Sequence, residues 1–239
     1  MTDCVPSVPR FLARRDDIRD TSYWSQFGYH NRRLRALIHR MIDETALPRG
    51  ACVLDYGCAD SPYRSELPPD VTYVGADISG NAAAELEVDR EGRVPMNDWT
   101  VDLVLSTQVL EHVERPALYL SECFRVLRPG GRLILSTHGI MYFHPDPNDY
   151  WRWTRTGLAK VVEEAGFEVR RLHGMMGLLP ACLQIIQDGT IYLIPMRLRR
   201  LYVGMLQRLI ALSDRLYDDE RRIDNGLILA VSAVKPAVA

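Results

Sequence analysis

Lysine is almost missing from this chain: Lys160 and Lys235 are the only two, and arginine carries the rest of the basic charge. Acidic residues slightly outnumber basic ones, giving a net charge of -2, so no single-signed field marks the molecule for nucleic acid. The arginine preference reads as composition rather than as phosphate binding. Cysteine is sparse and odd in number. Cys4, Cys52, Cys58, Cys123 and Cys182 contain no Cys-x-x-Cys, which points to neither a disulfide framework nor a zinc knuckle. An unbroken apolar run is missing too. Met175 to Pro195 raises the question of a membrane span, but Pro180, Gln184, Gln187, Asp188 and Gly189 interrupt it. A spanning helix needs ~20 largely apolar residues, so no stable membrane insertion is expected. The first twenty residues are charged and carry no apolar signal core, so the expected location is cytoplasmic.

What is present suits one embellished domain of 239 residues. Leu34, Leu37, Ile38, Met41 and Ile42 recur at helical spacing ahead of Pro48, behind an aromatic group of Tyr23, Trp24, Phe27 and Tyr29. Apolar strand runs follow at Cys52 to Asp55, Thr72 to Ala76, Leu86 to Val88, Val101 to Ser106 and Arg132 to Ser136, with a helix from Pro116 to Leu127 between the last two. Such alternation predicts a mainly parallel sheet covered on both faces. Pro116 suits a first helical turn, and Pro129-Gly130-Gly131 stops that helix. Thr154 or Thr156 can cap a helix to Ala165, ended by Gly166 and followed by a strand from Phe167 to Leu172. The stretch from Asp77 to Glu85 is too short for a crossover helix, so an abbreviated loop is expected there.

A long insertion then carries Leu198, Leu201, Met205, Leu209, Leu212 and Leu216 on one helical face. That row is expected to pack, over the sheet or between subunits, which allows a homodimer. Arg197, Arg199 and Arg200 beside it would also suit a membrane surface. Leu227 to Val234 supplies a final strand. The expected organisation is an amino-terminal helical lid at 1–48, a cofactor-binding core at 49–172, a helical insertion at 173–225 and a last strand with tail at 226–239.

Chemistry gathers where strands end. Val53-Leu54-Asp55-Tyr56-Gly57-Cys58-Ala59 closes a strand in a tight turn of small residues, and Tyr73-Val74-Gly75-Ala76-Asp77 follows about 20 positions later. An acidic residue at that distance can bind both hydroxyls of a ribose, so the pair reads as a nucleoside-cofactor site. Alone, Asp77 would also serve as a turn cap. Asp89, one strand on, is placed for an adenine amino group.

Five segments in order resemble the class I S-adenosylmethionine-dependent methyltransferases. They are Val53 to Cys58, Gly75-Ala76-Asp77, Val101 to Ser106, Gln108-Val109-Leu110-Glu111-His112-Val113, and Arg125 to Gly131. The resemblance implies a Rossmann-like α/β fold, doubly wound, with a seven-stranded, mainly parallel sheet whose last strand is antiparallel, and S-adenosyl-L-methionine as cofactor. It implies that Asp55, Gly57, Cys58 and Ala59 contact the methionine end, Asp77 and Ile78 the ribose and adenine, Asp89 the adenine, and Gln108 the methionyl group. Ala59 and Ser61 stand where that family usually has its second and third glycines.

A sulfonium donor is already activated, so the protein must supply alignment, exclusion of water and, for a hydroxyl acceptor, a base. His138 and His144 are the base candidates; the alternative is that both anchor their loop. Tyr23, Trp24, Tyr150, Trp151 and Trp153 are candidates for a lid and substrate wall, or for packed core. His112 resembles half of a Glu-x-x-Glu-His metal motif, but Gln108 replaces the first Glu, and no metal is expected. The expected acceptor is an oxygen or nitrogen of a small metabolite, such as a sugar or natural-product intermediate. An RNA methyltransferase, a dinucleotide oxidoreductase and a non-catalytic cofactor-binding module are the rival readings.

Overall fold

In every central strand, neighbouring residues go to opposite faces of the sheet. Leu54, Val104 and Leu133 join a core under two helices on one side, while Val53, Leu103 and Ile134 join a second core on the other. The structure, a computed structural model, describes residues 18–237. Cys4 and the charged amino-terminal stretch lie outside the described residues.

The described elements run α1 (Gly28–Asp43), β1 (Cys52–Tyr56), β2 (Thr72–Ile78), β3 (Leu86–Val88), β4 (Val101–Thr107), α2 (Pro116–Val126), β5 (Leu127–His138) and α3 (Arg155–Glu164). β6 (Glu168–Met175), α4 (Leu178–Thr190), α5 (Met196–Asp214), α6 (Asp219–Asp224) and β7 (Ile228–Val234) complete them. The seven strands form one sheet in the order β3-β2-β1-β4-β5-β7-β6. The first five pair in parallel, and β7 runs antiparallel between β5 and β6. The doubly wound architecture expected from the sequence is therefore present, last strand included.

α1 forms because Leu34, Ile38, Met41 and Ile42 make one apolar stripe, and all four are buried against the sheet. Burying each contributes roughly 1.5–3 kcal/mol relative to exposure. α2 and α3 cover the opposite face through Leu120, Cys123, Leu158 and Val162. Pro116 opens α2 in its first turn, and the Thr154 side chain caps α3 by accepting from Gly157 N at 3.1 Å. Pro129-Gly130-Gly131 does end α2, but it falls within the span of β5 as a bulge: Val101 pairs with Leu127 and Leu103 with Arg132. Gly130, at φ +81°, suits that excursion.

Only a 3-10 turn, Arg64–Glu66, joins β1 to β2, and the chain from Ile78 to Leu86 turns without a helix. The parallel half of the sheet is thus lightly covered where the cofactor residues were expected. The insertion departs from expectation in another way. α5 turns Val203, Leu206, Ile210 and Ala211 inward, while the Leu198 to Leu216 row stays outside, 44 to 69% exposed. The row does not pack over the sheet, because the inward side of α5 belongs to a different set of residues.

Candidate functional site

The carboxyl ends of β1 to β5 lie along one edge of the sheet, and the candidate residues divide into two groups along it. At the β1–β2 end the loop after Tyr56 is a series of left-handed residues: Gly57 at φ +80°, Ala59 at +47° and Ser61 at +56°. A Cβ on Gly57 would meet Val109 Cγ2 at 2.4 Å, so only glycine fits. Asp77 fastens this loop. Its Oδ2 accepts from Ala59 N at 2.8 Å and Asn81 Nδ2 at 2.7 Å, and its Oδ1 accepts from Ile78 N at 2.8 Å. The turn-capping role is real, and it sits beside the position expected for ribose. Cys58 is buried beneath the loop, whereas Ile78 is exposed at the edge.

Asp55 is almost wholly buried, and its Oδ2 accepts from the Tyr73 hydroxyl at 2.7 Å, which is itself 2.9 Å from Ser61 Oγ. Burial pushes its carboxyl up to about 7, the Tyr73 hydrogen bond opposes that, and the nearby Asp77 adds to it. Asp55 Oδ1 and Gln108 Oε1 are buried acceptors with no hydrogen-bond partner. Gln108, at φ +57°, is held by its own N on Ser136 O and its Nε2 on Ser136 Oγ. Two unsatisfied acceptors at neighbouring strand ends fit a ligand bearing N–H or O–H donors and positive charge. Asp89 stands apart. It is exposed, and its Oδ1 is taken by Glu91 N and Arg93 N in its own turn; sheet pairing of Ile78 with Val88 brings it beside the edge.

At the β4–β5 end the groups are histidines around a buried acid. Glu111 is fully buried, its Oε2 accepts from Thr137 Oγ1 at 2.8 Å, and His138 Nε2 lies 3.3 Å from its Oε1. Burial raises the Glu111 carboxyl to about 8, against the Thr137 hydrogen bond. The ring centroids of His112, His138 and His144 lie 5.9 to 6.3 Å apart. Burial holds His138 well below its usual range, with Arg152 and His144 adding to the effect. His144 is also lowered, first by burial and then by His112, so both rings are neutral at neutral pH. Asp149 accepts from His144 N at 2.6 Å and pairs with Arg152, fixing the loop between Met141 and Arg152.

A family described as "Methyltransferase domain" matches residues 26–172. The chain belongs to the class I S-adenosylmethionine-dependent methyltransferase family. A probable S-adenosylmethionine-dependent methyltransferase of Mycolicibacterium smegmatis is 33% identical over 66% of this chain and 64% of its own length. The chain thus spans just under two thirds of that relative. A ubiquinone biosynthesis O-methyltransferase of Dinoroseobacter shibae is 27% identical over 63% of this chain and 73% of its own. Among solved structures, a phosphoethanolamine N-methyltransferase of Haemonchus contortus with S-adenosyl-L-methionine bound superposes with a TM-score of 0.55 at 19% identity, covering 95% of this chain and 56% of that one. That likeness establishes the fold.

The five candidate aromatic residues of this methyltransferase domain fall into two separate groups. Tyr150 and Trp151 donate their backbone N–H to Glu111 O, and Trp153 N donates to His138 O, so these three belong to the histidine end. Trp151 and Trp153 lie 5.9 Å apart. Tyr23 and Trp24 instead pack on the insertion, where Trp24 fills the space over Gly204 and Arg208 lies across both rings. Three residues escaped the sequence reading as site members. Glu111 appeared only inside a motif, with nothing in its neighbours to announce full burial. Tyr73 faces Asp55 through strand pairing. His30, lowered to about 4 by burial, was legible as one turn before Leu34 on the buried face of α1. The described residues contain no cluster of three or more metal-ligating side chains in binding geometry.

Proposed function

We propose that the domain transfers a methyl group from S-adenosyl-L-methionine to an oxygen or nitrogen of a small metabolite, and that the histidine end favours oxygen. The observation that carries this reading is the buried Glu111–His138–His144 cluster, whose imidazoles are neutral and free to accept a proton at neutral pH. A hydroxyl must pass its proton to a base as its bond to carbon forms.

The donor fits the β1–β2 end. Asp55 and the backbone of Gly57, Cys58 and Ala59 would hold its methionine portion, with the unpartnered Asp55 Oδ1 receiving the ammonium. Asp77 and Ile78 would hold ribose and adenine, Asp89 the adenine amino group, and Gln108 Oε1 the methionyl end. Bound there, the sulfonium would supply an activated methyl group to the acceptor oxygen and leave as a neutral thioether. His144, the less buried ring, takes the acceptor proton. His138 is positioned behind it by Glu111, and Tyr150, Trp151 and Trp153 wall the acceptor. Tyr23 and Trp24 approach from the insertion side.

The test is incubation of the purified domain with isotope-labelled donor and a metabolite extract, followed by mass spectrometry. Labelled methyl on an oxygen-bearing small molecule is the expected result. Label in RNA, lost on chelation, supports the RNA reading instead, and donor binding without any transfer supports a binding module.

A further inference from the structure

The outward face of the insertion carries a row of exposed apolar side chains that the methyl-transfer reading does not use. Leu198, Leu201, Met205, Leu209 and Leu212 follow one another at steps of three and four along α5, Leu216 follows in the turn after it, and all six are exposed. Its helical part, Leu198 to Leu212, is about 21 Å long at 1.5 Å per residue. On α4, which packs beside α5, Leu178, Leu179 and Ile186 are exposed as well. Monomeric soluble proteins seldom leave so much contiguous apolar surface uncovered.

The charge beside this row is of one sign. No acidic residue occurs between Gly189 and Ser213, whereas Arg197, Arg199, Arg200 and Arg208 all do. None of these four, nor Arg215 just beyond, forms a salt bridge among the described residues, although arginine elsewhere in the chain is commonly paired with carboxylates. Trp24, 43% exposed, lies between Arg200 and Arg208, 5.5 and 4.7 Å from its ring centre. An apolar row, unpaired guanidiniums and a half-exposed indole are the groups that sort to acyl chains, anionic headgroups and the boundary between them.

We infer that the α4–α5 face docks on an anionic lipid bilayer, lying in the interface with the leucine row inward. No described helix is long and apolar enough to cross a membrane, so the contact is superficial. A second copy of the chain suits the face less well. A two-fold contact along the row would bring together arginines without carboxylate partners, on a helix that offers no carboxylate over that span. Docking here would also bring the bilayer near the acceptor end, because Asp188 of α4 is hydrogen-bonded to Tyr142 in the loop that carries His144.

Flotation of the full chain with vesicles tests this without donor or acceptor, so it stands or falls separately from methyl transfer. Binding is expected to phosphatidylcholine–phosphatidylglycerol vesicles, weakened by added salt and by replacement with pure phosphatidylcholine. Leu201→Gln with Leu209→Gln should weaken it at least about tenfold, and Arg197→Gln about fivefold. Both side-chain sets are exposed, so melting temperatures should stay close to wild type. The inference is overturned by absence of flotation on anionic vesicles at low salt, or by variants that float as well as wild type. It is also overturned by a stable dimer in light scattering that the leucine variants dissociate and that leaves vesicles unbound.

Discussion

Asp77, at the β1–β2 end of the edge, accepts three hydrogen bonds from its own loop system, while Glu111, at the β4–β5 end, has a hydrogen bond to one oxygen and none to the other, which lies 3.3 Å from His138 Nε2. The first carboxylate is held by two backbone amides and the Asn81 side-chain amide, a frame that shapes a loop. The second is stripped of water, so its proton is coupled to the rings around it. On the proposed function, the first end would hold the donor by shape and the second would give the acceptor's proton somewhere to go.

The comparison breaks most sharply at the histidines. His144→Ala is expected to lower kcat by about 10²-fold or more while donor affinity barely moves, as steady-state kinetics beside calorimetric titration would show. Wild-type turnover should fall as pH drops below the lowered pKa of His144, and loss of that acid limb in the variant would tie it to this ring. Full activity in both His144→Ala and His138→Ala would remove a histidine base.

At the other end, Asp77→Ala should weaken donor binding by ~1–3 kcal/mol, because charge-assisted contacts to the ribose go and the Ala59 amide loses its anchor. Unchanged affinity in a titration would reject the ribose assignment. A pH comparison separates the two ends by stability. Glu111 and Asp55 both have raised pKa values, so the folded chain holds protons that the unfolded chain has released. The contribution of these two groups to stability is therefore greatest below the ordinary carboxyl range and declines as pH rises towards about 8 for Glu111 and about 7 for Asp55. Glu111→Gln should flatten the upper part of that decline and Asp55→Asn the lower part, read as melting temperature against pH. The smallest effect is expected at Thr154→Ala, about 1 kcal/mol of stability from the lost cap on α3, measured by urea unfolding.

The strands were readable because each contains a short apolar run, and the bounds from Leu86 to Val88 agree with the structure residue for residue. Period and punctuation carry that much information. The Asp77 loop was readable for the same reason, since small residues at a strand end announce a backbone turn. Glu111 was not, because nothing local distinguishes a carboxylate that will be covered by Thr137, His138 and the returning Tyr150–Trp151 backbone. The orientation of α5 was half readable. Its leucine spacing gives a face, but Val203, Leu206 and Ile210 give another, and only contact with α1 and α4 decides which turns inward.

Behind the leucine row, Gln184, Gln187 and Gln207 converge on Gln26 O, with Asp188 accepting from Gln26 and Gln184. Chain segments 158 to 181 positions apart are thereby cross-braced chiefly by neutral amides. Mobile ions screen exposed charges and leave such a brace almost untouched. Brine that strips the molecule from phosphatidylglycerol should therefore release it with the hairpin still buttressed against the amino-terminal segment, ready to bind again on dilution.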